Sequence, residues 1–127
     1  MKYLLDTHTL IWLLEASSKV SQEIKEILKS PGNSVYLSSA SLWEIAIKTS
    51  LGKLDLKAPF EKLLLDLNKT NIVILQIENE YLKKIITLPA IHKDPFDRLL
   101  ISTALTEDMT IITADENIRK YNVNWVW

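Results

Sequence analysis

The chain contains no cysteine in 127 residues, which excludes disulfides, thiolate zinc sites and thiol nucleophiles together. Glycine occurs only at Gly32 and Gly52, too sparsely for the glycine-rich loops that cradle phosphates in nucleotide-binding folds. Histidine is limited to His8 and His92, too few for the usual histidine-rich transition-metal centre. Any metal would have to be held by oxygen, which favours magnesium or manganese (Mg2+ or Mn2+). The only arginines are Arg98 and Arg119, and the net charge is −1, so the basic balance typical of nonspecific phosphate binding is missing. Charge therefore neither supports nor excludes a nucleic-acid partner. No apolar run approaches the roughly 18 residues of a membrane span. The opening Lys2-Tyr3-Leu4-Leu5 stops at Asp6 before a secretory leader can develop. A cytoplasmic protein with no membrane segment is expected.

What is present reads as one compact domain over residues 1–127. Hydrophobic residues make up 47% and charged residues 24% of the chain, which is ordinary for a globular protein. No repeat or low-complexity tract divides it. Short apolar runs alternate with longer periodic stretches, the pattern of α/β architecture. Strands are predicted over 2–5, 35–37, 72–75, 110–113 and 123–127. Helices are predicted over 9–16, 20–29, 40–51, 60–68, 78–88, 95–108 and 116–121. Pro31-Gly32-Asn33 and Gly52 punctuate the early helices. This spacing predicts parallel strands joined by right-handed helical crossovers.

Two of the apolar runs, Tyr3-Leu4-Leu5 and Ile111-Ile112-Thr113, stop at aspartates, Asp6 at once and Asp115 after Ala114. Two further acids, Glu44 and Asp97, fall in early turns of the helices between them. Open α/β sheets bind ligands in the crevice beyond the carboxyl ends of their strands, and carboxylates gathered there repel unless a hard cation joins them. Taken singly, each acid has a plainer explanation. Asp6 and Asp115 suit helix N-caps, and Asp94-Pro95-Phe96-Asp97 is a good helix start. Ser41, Glu44 and Lys48 share one side of a mostly apolar helix, with Glu44 and Lys48 a favourable i,i+4 pair. Capping accounts neither for a glutamate within an apolar helix nor for acids after two separate strands. The combination points to a divalent-metal site.

Along nearly its whole length the chain resembles PIN-domain proteins, in particular toxin ribonucleases of VapC type. The resemblance is carried by Leu4-Leu5-Asp6-Thr7-His8, by Leu42-Trp43-Glu44-Ile45-Ala46-Ile47-Lys48, by His92-Lys93-Asp94-Pro95-Phe96-Asp97-Arg98 and by Thr113-Ala114-Asp115. Ser102 stands where many relatives have alanine, a small departure. The resemblance implies a three-layer α/β/α sandwich with a central, mainly parallel sheet. It places metal-binding or catalytic roles on Asp6, Glu44, Asp97 and Asp115, and leaves Asp94 to capping. Thr7 and Thr113 flank matched acids, while Lys48, Lys93 and Arg98 lie close enough in sequence to contact an RNA backbone.

The activity implied is a metal-dependent endoribonuclease leaving 5′-phosphate and 3′-hydroxyl ends. Its implied partners are an RNA substrate, a cognate antitoxin protein and a second copy in a homodimer, through apolar residues on the early helices. A non-catalytic PIN-like module that binds RNA or protein, or a housekeeping RNA-processing nuclease, would share the pattern. A phosphate-transfer receiver needs a second acid beside Asp6, and a haloacid-dehalogenase-type phosphatase needs an aspartate where His8 stands. Both fit poorly.

Overall fold

A computed structural model describes all 127 residues. Its strands are β1 (Lys2–Leu5), β2 (Ser34–Ser38), β3 (Val73–Leu75), β4 (Thr110–Ile112) and β5 (Trp125–Val126). Its helices are α1 (Thr7–Leu14), α2 (Gln22–Lys29), α3 (Ser39–Ser50), α4 (Phe60–Asn68), α5 (Asn79–Thr87), α6 (Pro95–Glu107) and α7 (Glu116–Arg119). Every strand pair is parallel, in the order β3-β2-β1-β4-β5. Central β1 sets Leu5 beside Leu37 of β2 on one side and Ile112 of β4 on the other.

Both faces of the sheet are covered, which explains why Tyr3, Leu4 and Leu5 are buried in succession rather than alternately. Tyr3, Leu5 and Ile112 pack with Leu10, Ile24, Ile45 and Leu63 from the first four helices. Leu4 and Ile111 face the other way, onto Leu100, Ile101, Ala104 and Ile118 of α6 and α7. This is the expected three-layer α/β/α sandwich. No helix is long and apolar enough to cross a membrane.

The predicted elements all occur, with boundaries moved by a few residues. α1 starts at Thr7 rather than residue 9, because Asp6 accepts a hydrogen bond from the Thr9 amide (2.7 Å) and caps the helix directly after β1. α3 follows β2 without a loop, Ser38 accepting from the Ala40 amide (3.2 Å). It ends where Gly52 adopts a φ of 69°, a conformation open to glycine at little cost. β5 pairs only Trp125 and Val126 with Ile111 and Ile112, since its partner β4 is itself three residues long. Apolar side chains of α1 and α2 are buried or half-buried; the exposed ones include Leu65 of α4, Leu82 and Ile86 of α5, and Trp43 of α3.

Candidate active site

The strand order reverses direction between β1 and β4, so the crevice beyond their carboxyl ends is the topological switch point of the sheet. Asp6 ends β1 there and Asp115 follows β4. They are joined through Thr113, whose hydroxyl donates to Asp6 Oδ2 and accepts from the Asp115 amide (2.9 Å). The first turn of α1 is pinned to the same place, because Thr9 Oγ1 donates to the Ile112 carbonyl (3.0 Å). Asp6 is buried and uses its other oxygen as the cap of α1. Asp115 caps α7, accepting from the Asn117 amide (2.7 Å).

Glu44 reaches this crevice from α3. It is 4% exposed, so its charge needs partners. Thr7 Oγ1 donates to Oε1 at 2.6 Å and Lys48 Nζ to Oε2 at 2.5 Å. Partial burial works against the Lys48 charge, but its hydrogen bond to Glu44 and the negative charges of Glu44, Asp94 and Asp97 outweigh this and raise its pKa above the ordinary 10.5. Thr7 thus connects α1, next to Asp6, with α3.

Asp97 arrives from the first turn of α6, whose cap is Asp94; Asp94 Oδ1 accepts from the Asp97 amide at 2.9 Å. The capping role assigned to Asp94 is therefore seen directly. Asp97 Oδ2 meets His92 Nε2 at 3.0 Å, and His92 Nδ1 meets the Tyr121 hydroxyl at 2.8 Å. Burial pushes the Asp97 carboxyl up from 3.8 to about 6; the hydrogen bond from His92 opposes this, and the charges of Asp94 and Asp115 add to it. Three of the four matched acids are linked by hydrogen bonds, Asp6 with Asp115 through Thr113 and Glu44 through Thr7 beside Asp6; Asp97 has His92 as its partner and feels the charge of Asp115 without touching it.

The acids are not drawn together around a point, however. No three acid or imidazole groups stand close enough to enclose a cation. Threonine, lysine and histidine side chains partner Asp6, Glu44 and Asp97 from within, and of these the sequence foretells only the Glu44–Lys48 pair. The donor set nevertheless fits a hard divalent ion, being carboxylate and hydroxyl oxygen throughout. A further observation agrees: the buried Ser41 Oγ has no hydrogen-bond partner. It lies three residues before Glu44 on the same helical side, a buried polar atom left open beside the acid.

The cations separate. Lys48 is in the site, and Lys93 is exposed just before α6. Arg98 turns away: its guanidinium donates to the carbonyls of Pro89 (2.9 Å), Ile85 (3.4 Å) and Leu88 (3.5 Å) and to the Tyr121 hydroxyl (3.0 Å). It secures the end of α5 to α6. The sequence alone assigns no role to His92, Tyr121 or the orphan hydroxyl of Ser41. His92 lies within the resembling stretch, so a signal exists for it; Tyr121 gives none.

A family model described as the PIN domain matches residues 3–124. No curated protein matches the chain. Among solved structures, the chain resembles VapBC2 from Rickettsia felis bound to a DNA fragment from their promoter, with a TM-score of 0.74 and 17% identity over 99% of this chain and 98% of that one. It also resembles VapBC-1 from nontypeable Haemophilus influenzae, with a TM-score of 0.69 and 19% identity over 99% and 97% of the two chains. FitAcB from Neisseria gonorrhoeae gives 0.64 and 16% over 98% and 96%. At such identities the likeness is one of fold.

Proposed function

We propose that this chain, which belongs to the PIN domain family, is a divalent-metal-dependent endoribonuclease and the cytoplasmic toxin of a toxin–antitoxin pair. The observation that supports the reading is a linked set of acids: Asp6 and Asp115 share the Thr113 hydroxyl, and Glu44 meets Thr7 beside Asp6, while Asp97 enters from α6 with His92 as its partner. Mg2+ or Mn2+ would be held by Asp6, Asp97 and Glu44, with Asp115 as the fourth acid. When bound, such an ion neutralises phosphate oxygens and lowers the pKa of water.

The side chains do the positioning. Thr113 fixes the Asp6 carboxylate through one oxygen, and the cap of α1 fixes it through the other. Thr7 and Lys48 hold both oxygens of Glu44, so its carboxylate is oriented before substrate arrives. His92 steadies Asp97 from behind, itself steadied by Tyr121. Because Lys48 brings a positive charge into an acidic crevice, it lessens the repulsion that an RNA phosphate meets there. Lys93 supplies a second, exposed cation just before α6. The site contains no pair of histidines to serve as acid and base, so attack by the RNA 2′-hydroxyl is disfavoured.

The partners follow from the same reading: an RNA substrate, an antitoxin of the kind present in the VapBC complexes, and a second copy as homodimer. The test is incubation of the purified chain with RNA in Mg2+, Mn2+ or EDTA, followed by analysis of the ends. Metal-dependent cleavage to 5′-phosphate and 3′-hydroxyl ends is expected; 2′,3′-cyclic phosphates would overturn the mechanism. One observation favours a second reading, a binding module that does not cut: Glu44 is already paired with Lys48 and Thr7. RNA binding with no cleavage in either metal would establish it.

A further inference from the structure

We propose that Trp43 and Phe96 form a stacking subsite for one unpaired base of the RNA, at the edge of the acidic crevice. The proposal rests on the nuclease reading for the placement of the phosphate. Trp43 precedes Glu44 on α3, and Phe96 precedes Asp97 on α6. The two rings meet edge to face, with centroids 5.4 Å apart and planes at 76°. Two of the four acids thus have an aromatic neighbour in sequence, and those neighbours touch.

Trp43 is 60% exposed, unusual for a side chain that is highly buried on average. Folding gives no reason for this. On the buried side, α3 is held by Ala40, Ser41, Glu44 and Ile45, and Trp43 points off that side into solvent. Phe96 is half-buried against Ala40, Tyr81 and Leu99, so it forms a fixed edge against which the indole leans. The rigid Phe96 limits the movement of Trp43 and lowers the entropy lost when another ring lies on it. Exposed residues such as Leu65 and Ile86 are aliphatic and offer no π-face, and the other exposed aromatic, Trp125, already has Arg119 over its ring at 4.1 Å.

A nucleobase suits this platform better than a protein segment does. The two rings offer at most about 200 Å² each, well short of the roughly 800 Å² per partner in a specific protein interface. One base covers one indole. With a phosphate at the acids, the base of an adjoining nucleotide is carried outward, and Lys93, exposed three residues before Phe96, is free to meet the next phosphate. A base can stack on Trp43 only if it has left its own stack, so the subsite selects single strands over duplex at no cost in hydrogen-bond readout.

The test uses a labelled random-sequence single-stranded RNA pool and the same pool annealed to its complement, both in Mg2+. Binding is read by anisotropy on an Asp6→Asn background, and cleavage on the otherwise intact chain. Trp43→Ala should weaken single-strand binding about tenfold, equivalent to about 1.4 kcal/mol, while Trp43→Tyr restores most of it. Preference for single strands over duplex should fall with Trp43→Ala, and the loss in cleavage should lie in KM rather than kcat. Unchanged binding by Trp43→Ala in a chain that does cut RNA would overturn the subsite and leave the nuclease intact. Failure of the intact chain either to bind or to cut the pool would overturn both. If Trp43→Ala spares RNA binding but abolishes the complex with a co-expressed antitoxin, the surface belongs to a protein partner and the proposal is wrong.

Discussion

Replacing Asp97 with asparagine should stabilise the metal-free chain, and most at high pH. Burial and the charges of Asp94 and Asp115 lift the Asp97 carboxyl to about 6 from 3.8. Between about pH 4 and 6 the folded chain holds a proton that the unfolded chain has released. The unfolded state binds fewer protons there, so stability falls as pH rises through that window and levels off above it. A pH unit of displacement is worth about 1.4 kcal/mol, and screening at the mouth of the crevice brings the whole effect to on the order of 2 kcal/mol. The amide introduced by Asp97→Asn keeps an oxygen for His92 and leaves the Asp94 cap untouched. For a domain of this size, that free energy corresponds to a rise in Tm of about 6–10 °C at pH 8, against about a third of that at pH 4.5. Thermal unfolding in EDTA, at both pH values, reads this directly. A Tm difference that is the same at both pH values, or a loss at pH 8, would refute the electrostatic account of Asp97.

Asp6→Asn should abolish cleavage but cost only about 1 kcal/mol of stability, because its carbonyl still caps α1 while Thr113 must find a new acceptor; a thermal melt showing a loss of several kcal/mol would mark Asp6 as mainly structural. Magnesium at 100 times its Kd should stabilise the wild type by about 2.7 kcal/mol through mass action, and Asp6→Asn far less, as measured by melting with and without the ion. Lys93→Ala should lower the salt slope of single-stranded RNA binding by about 0.7 if it meets one phosphate. Arg98→Ala should leave that slope unchanged and lower stability by about 1–3 kcal/mol, since it unties the α5 carbonyls and Tyr121; urea unfolding and a salt titration decide between the two roles.

The order and type of the elements are legible because each carries local cues that agree with the fold. Strands β1 and β4 are short apolar runs that lead to an acid, and α6 has both Asp94 as cap and Pro95 at its first position. The misplaced start of α1 has one cause. Thr7 and His8 interrupt the apolar period, yet Asp6 caps at once and Thr7 turns inward to Glu44. Strand ends are less legible still, since a strand extends only as far as its partner. β5 stops at Val126 because Ile112, the residue it pairs with, is the last of β4. Such pairing is a property of the sheet and not of the segment.

The candidate site divides along the same line. Asp6 and Asp115 are readable from local pattern, because a strand end followed by an N-cap is a short-range signal. What the sequence does not display is how their charge is balanced. The partners lie far off along the chain: Thr113 for Asp6, Thr7 for Glu44, Tyr121 behind His92. Read along the chain, only the Glu44–Lys48 pair and the caps are visible, and the rest of the charge is left to a cation. The fold instead gives Asp6 a hydroxyl, Glu44 a hydroxyl and an ammonium, and Asp97 an imidazole. Asp97 still carries a marked penalty, its carboxyl lifted to about 6. An apo protein built this way can fold and persist without metal, because removing the ion leaves no buried carboxylate without a partner. A divalent ion would relieve that penalty, so Asp97→Asn should reduce the stabilisation that magnesium gives, as read by melting with and without the ion.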